Sequence, residues 1–132
     1  MKSYDDVYKT PGAFSWSELT TSDADAAATF YGKLFGWRFE KMDMGMPYQV
    51  IKAGDTSVGG IMGMAPGAPP MPPHWGCYVT VADADATARQ CTELGGKLLN
   101  GPIDIPTVGR MVVLQDPQGA VLCAVAYQVQ AS

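Results

Sequence analysis

An α+β fold of two tandem βαβββ modules is what this sequence predicts, and three observations predict it. First, Ser22-Asp23-Ala24-Asp25-Ala26 returns as Ala82-Asp83-Ala84-Asp85-Ala86, and Leu34 and Gly36 return as Leu94 and Gly96, at a constant offset of 60 residues. Second, each copy is preceded by one run of β-forming residues and followed by three more. Third, Ala65-Pro66-Gly67-Ala68-Pro69-Pro70-Met71-Pro72-Pro73 carries five prolines in nine residues, which neither a helix nor a central strand accepts. A duplication of this length in 132 residues implies one domain, 1–132, made of module 11–64 and module 74–128 joined by the connector 65–73. Paired repeats of this kind usually enclose a cleft at their junction.

The elements follow in order. Residues 13–20 and 76–81 are aromatic and β-branched, and open the two modules as strands. Ser22-Asp23 and Asp83 are helix caps, and apolar residues at helical spacing follow each: Ala27, Phe30, Tyr31 and Leu34, then Ala84, Ala88, Cys91 and Leu94. Gly36 and Gly95-Gly96 stop the helices, because glycine takes the left-handed closing position without a side-chain clash. Strands over 37–41, 48–53 and 57–62, with a Gly54-Asp55 turn, complete the first module. Strands over 97–99, 110–115 and 120–125, with the turn Asp116-Pro117-Gln118-Gly119, complete the second.

Composition narrows the function classes. The chain is 47% hydrophobic and 17% charged, which is globular, and nine Lys and Arg against thirteen Asp and Glu repel phosphate backbones and anionic lipid. No nucleic-acid or membrane partner is expected. No apolar run approaches the roughly 20 residues of a membrane span, and the polar start is unlike a signal peptide, so a cytoplasmic protein is expected. Cys77, Cys91 and Cys123 are an odd number without CxxC spacing, consistent with reduced thiols. Neither a Gly-x-Gly-x-x-Gly loop nor a nucleophile elbow is present, so nucleotide-binding and hydrolase readings rank low.

The modular order, the phrase Phe30-Tyr31-Gly32-Lys33-Leu34-Phe35-Gly36-Trp37 and the turn Asp116-Pro117-Gln118-Gly119 together resemble the vicinal oxygen chelate superfamily. That superfamily includes glyoxalase I, fosfomycin and bleomycin resistance proteins, and extradiol dioxygenases. Residues 11–19 and 109–120 are similar to its actinobacterial antigen and antibiotic-hydroxylase-associated branch. The resemblance implies curved half-barrel sheets around a cavity, a homodimer, a small-molecule ligand, and, in metal-using members, ligands on inward-facing strand positions. Carried over to this chain, those positions fall on Trp16, Cys77, Cys123 and Gly60.

Trp16 and Gly60 supply no ligand atom, and the chain has one histidine, His74, so no metal and no cofactor is expected. Cys77 and Cys123 form a soft thiolate pair if their strands adjoin, or are simply apolar side chains. Glu18 is the candidate catalytic residue. It shares a strand face with Trp16, where a carboxylate beside an indole serves as general acid or base. The alternative is a structural ion pair, for instance with Arg110. Trp16, Tyr48, Met62, Cys77, Tyr78, Arg110 and Cys123 are the candidate ligand-binding residues, a mostly apolar, aromatic set with one guanidinium that suits an aromatic or oxygenated metabolite. Met42, Met44 and Met46 form either a lid or a dimer contact. Three readings result: metal-free binding or transformation of such a metabolite; a metal-dependent lyase or dioxygenase using Glu18, Cys77 and Cys123; and sequestration of an antibiotic.

Overall fold

The computed structural model describes residues 4–43, 47–64, 67 and 71–128. Met44 and Met46 of the methionine loop, and most of the proline-rich connector, lie outside the described residues. The chain forms two compact units, Trp16–Gly76 and a second made of Met1–Ser15 with Cys77–Ser132. Each holds a βαβββ module, and the fold is α+β.

The first module runs β1 (Phe14–Thr21), α1 (Ala24–Phe35), β2 (Arg38–Asp43), β3 (Pro47–Ala53) and β4 (Thr56–Gly63). Its strands lie in the order β2-β3-β4-β1, with β1 parallel to β4 and the other pairs antiparallel. Asp23 caps α1 by accepting the Ala26 N–H at 3.0 Å, and Gly36 closes it in the left-handed region at φ 74°. Alternation along the strands buries Leu19, Ile51 and Ile61 against Ala24, Ala27, Ala28 and Tyr31 of α1. Trp16, Glu18, Tyr48, Val50, Gly60 and Met62 have the opposite parity and occupy the face turned away from α1.

The second module runs β5 (His74–Thr80), α2 (Ala84–Glu93), β6 (Lys97–Ile105), β7 (Gly109–Gln115) and β8 (Val121–Tyr127), ordered β5-β8-β7-β6. Asp83 repeats the cap on Ala86, also at 3.0 Å. The repeat slips at the helix end: the left-handed residue is Gly95, at φ 95°, not Gly96. Gly96 is required for another reason, since a Cβ there would lie 2.7 Å from Cys91 Sγ and 2.9 Å from the Gln115 carbonyl. Strand β6 is longer than the sequence pattern predicts. It continues to Ile105 through register shifts on either side of Asn100 that absorb Gly101-Pro102 within the β6–β7 pair.

Ala84, Ala88, Val112 and Ala124 form the second core, with Val81, Leu114 and Ala126 packed on it. A 3-10 helix over Tyr4–Tyr8, which no sequence pattern announces, is fastened to this unit. Buried Val7 lends its carbonyl to Thr80 Oγ1 at 2.6 Å, and the Thr80 backbone pairs with Gly12 and Ala13.

Candidate functional site

On the face of the first module turned away from α1, three side chains join in one hydrogen-bonded chain. Strand β4 lies between β1 and β3, with Gly60 in register with Glu18 on one side and Val50 on the other. A Cβ at Gly60 would collide with the Tyr48 ring, so the missing side chain is what lets that ring cross β4. The crossing brings the Tyr48 hydroxyl to β1. There it donates to Glu18 Oε2 at 2.7 Å and accepts the Trp16 Nε1–H at 2.9 Å. All three residues are half-buried, and Met62, in register with both Tyr48 and Thr20, adjoins them.

The polarity of this chain follows from donor chemistry. Indole nitrogen only donates and an ionised carboxylate only accepts, so the phenol between them must accept from one and donate to the other. A hydrogen bond to a charged acceptor is about twice as strong as a neutral one, so Glu18 is the firm end of the relay. Glu18 is thus held by Tyr48, its partner in the first module, and Arg110 is occupied elsewhere.

Arg110, the candidate guanidinium, is engaged with carboxylates of its own unit. Its parity matches Val112 and Leu114, which face α2, so it stands on the helix-packed side of β7 and not on the opposite face of that strand. The guanidinium grips Asp85 of α2 with Nε and Nη2, each at 3.1 Å, and Asp104 of β6 with Nη1 at 2.9 Å. Hydrogen bonding to Asp85, then to Asp104, raises its already high pKa further. A guanidinium satisfied by two carboxylates ties a helix to a hairpin and is poorly placed to receive an anionic ligand.

The structure sets the two candidate cysteines apart. Tyr78 pairs with Cys123 and Val79 with Ala124 in the parallel β5–β8 ladder, so Cys123 and Tyr78 share the face turned away from α2. Cys77 has the parity of Val79 and points to the α2 side, where it is exposed. The two thiols occupy opposite faces and make no pair. Of the positions the family uses for metal, Trp16 donates a proton to Tyr48 and has no lone pair to offer, Gly60 has no side chain, and Cys77 and Cys123 diverge. Among the described residues no group of three or more His, Cys, Asp and Glu could hold a metal ion. The residues present do not fit the metal centre that the fold family implies.

Sequence reasoning missed a polar cluster in the second unit. Tyr127 shares the parity of Cys123, and its hydroxyl lies 2.6 Å from Ser15 Oγ, which also approaches the Tyr78 carbonyl at 3.5 Å. The Tyr8 ring packs edge-on against Tyr127 with centroids 5.0 Å apart. Burial raises the pKa of both phenols. Alternation along β8 gives Tyr127 its face, but nothing local links it to Tyr8 or Ser15. Sequence reasoning also missed that Tyr31, Phe35, Trp37 and Trp75 form one aromatic cluster on the α1 side, with centroids of contacting rings 5.0–6.1 Å apart.

The two βαβββ modules define a class, and the sequence fits it over nearly its whole length. Residues 13–124 match the Glyoxalase/Bleomycin resistance protein/Dioxygenase superfamily, and the chain belongs to that superfamily. Among its relatives is CFP32 of Mycobacterium tuberculosis, assigned provisionally as a glyoxylase, 46% identical over 112 residues that span 83% of this chain and 42% of the relative. The anthracycline biosynthesis protein DnrV of Streptomyces peucetius is 38% identical over 117 residues, 87% of this chain and 42% of the relative. The chain therefore spans less than half the length of the curated relatives it matches. Methylmalonyl-CoA epimerase of Mycobacterium tuberculosis shares the fold with a TM-score of 0.64 at 19% identity, covering 89% of both chains. The Streptomyces coelicolor epimerase does so with 0.67 at 18% identity, covering 93% of this chain and 99% of its own.

Proposed function

We propose that this protein binds a small aromatic or oxygenated metabolite on the face of its first module turned away from α1, with Glu18 as the group that exchanges a proton with it and no metal in the step. The observation that carries this reading is the relay Trp16–Tyr48–Glu18 seated over Gly60. It combines aromatic surface, one hydrogen-bond donor and one carboxylate, the mixture of apolar lining and few oriented polar groups that small-molecule sites use. The relative DnrV supports the ligand class, since it is named for the biosynthesis of anthracyclines, which are aromatic and oxygen-rich. A metal-dependent lyase or dioxygenase is disfavoured by the donor set. Antibiotic sequestration uses the same surface and differs only in lacking turnover.

Titration with a hydroxynaphthoquinone, followed by tryptophan fluorescence, tests the reading. Saturable quenching is expected in the wild type, and its loss in Trp16→Phe would locate the ligand. Glu18→Gln is expected to keep binding while abolishing exchange of an activated C–H of a bound 1,3-diketone with solvent deuterium, followed by NMR. Absence of saturable binding by quinones, phenols and diketones up to millimolar concentrations would sink the proposal.

A homodimer and a cytoplasmic location belong to the same proposal. Phe30, Leu34 and Phe35 on α1 are more than half exposed, at 59%, 57% and 58%, an apolar face that a second copy would cover. The extra length of the curated relatives leaves room for a second such domain. Sedimentation equilibrium should return twice the 14.0 kDa chain mass, and a monomer at micromolar concentration would refute the dimer.

A further inference from the structure

We infer that Trp16 and Glu18 form a two-point cradle for an acidic hydroxyl carried on an unsaturated ring, a phenol or an enol, and that Tyr48 is its tethered occupant. The inference rests on the small-molecule reading above and narrows its ligand class. The cradle is defined by what it now holds. A phenol oxygen sits 2.9 Å from an N–H that can only donate and 2.7 Å from a carboxylate oxygen that accepts its proton. An alcohol on a saturated carbon has the same atoms but a weaker donor and no flat ring to lie against β4. A ketone has no proton for Glu18, and a carboxylate meets it with like charge. Only a hydroxyl that both accepts and donates strongly, on a planar framework, satisfies both ends at once.

Two features make Tyr48 an occupant and not a fixed wall. Its ring lies over Gly60, where there is no side chain, so removing the ring exposes a slot floored by backbone. It is also the second residue of β3, beside exposed Pro47 and opposite exposed Met42, so it stands at the end of its strand and not in the middle. A phenolic ligand would enter by replacing the Tyr48 hydroxyl with its own. The carboxylate and indole would keep the same two hydrogen bonds, and neither would lose its partner.

The test uses p-cresol, which is the Tyr48 side chain without its backbone, on the full chain. Calorimetric titration of Tyr48→Ala should show p-cresol binding at least tenfold tighter than toluene or 4-methylanisole. It should also bind at least tenfold tighter than to the wild type, whose slot is filled. Adding Glu18→Gln or Trp16→Phe to Tyr48→Ala should remove most of the preference over toluene. Tyr48→Val, which puts a strand-favouring β-branched residue at this position, should behave like Tyr48→Ala and serves if the alanine variant is unfolded by circular dichroism. Equal affinity for p-cresol and toluene in whichever variant folds would overturn the cradle. Wild-type affinity for p-cresol equal to that of the variant would overturn the tethered occupant. Saturable quinone binding by the wild type alongside either result would leave the small-molecule site standing and reject only this narrower inference.

Discussion

Gly59 and Gly60 are adjacent, both buried, and both intolerant of a side chain, yet the structure predicts that they fail in different ways. A Cβ at Gly60 meets the ring of Tyr48, a side chain that can rotate away; a Cβ at Gly59 meets the backbone carbonyl of Ser17, its register partner across β1–β4, which cannot. In Gly60→Ala the ring leaves and both hydrogen bonds of its hydroxyl go with it. One is neutral, worth about 1 kcal/mol, and one is to a carboxylate, worth about 1.5–3 kcal/mol. Water reaches the half-exposed site, and alanine stiffens the unfolded chain by about 0.4–1 kcal/mol. A net loss of about 2 kcal/mol results, or roughly 8 °C in Tm at about 4 °C per kcal/mol. Gly59→Ala must push β1 and β4 apart and should exceed about 3 kcal/mol, at the upper end of overpacking costs. Urea denaturation measures both, and a double-mutant cycle decides the cause. In a Tyr48→Ala background the cost of Gly60→Ala should fall to about zero, a coupling well beyond the roughly 0.5 kcal/mol of independent sites, while the cost of Gly59→Ala stays the same. Equal costs for Gly60→Ala in both backgrounds would refute the crossing of β4 by Tyr48, and with it the relay.

Three further expectations follow from the geometry. Tyr8 has its pKa raised above the ordinary value of 10.0, chiefly by burial, so the unfolded chain releases that proton first. Its contribution to stability is full below about pH 10 and is lost as pH rises toward the folded group's own ionisation, so the alkaline decline in urea midpoint should be shallower in Tyr8→Phe than in the wild type. Asp23→Ala and Asp83→Ala each remove a side-chain acceptor from the first turn of a helix and should each cost about 1 kcal/mol, additively, because the caps share no partner. Arg110→Ala should leave hydroxynaphthoquinone affinity within twofold of wild type while weakening the attachment of α2 to β6 and β7, read as faster amide hydrogen exchange in α2; a tenfold loss of affinity would return Arg110 to the binding surface.

What the sequence determined by itself is whatever has a local period. The 60-residue repeat, the two aspartate caps, the closing glycines and the strand alternation each need only a few consecutive residues, and they yield the βαβββ order and put Trp16 with Glu18 on one face and Leu19 on the other. The proton-bearing neighbour of Glu18 is a different matter. Tyr48 lies 30 residues away on a strand that does not even pair with β1, and it arrives only because β4 separates them with a glycine at the crossing. Gly60 is visible in the sequence as a place of close approach, but the identity of what approaches depends on strand register, which no local pattern encodes. Arg110 and the cysteines show the same limit from the other side. Strand β7 is apolar on both faces, with Val112 and Leu114 on one and Met111 and Val113 on the other, so alternation there leaves the parity of Arg110 undecided. Packing against α2 and the reach of Asp85 decide it. The parallel ladder of β5 and β8 likewise separates Cys77 from Cys123, because pairing one residue earlier or later would put both thiols on one face.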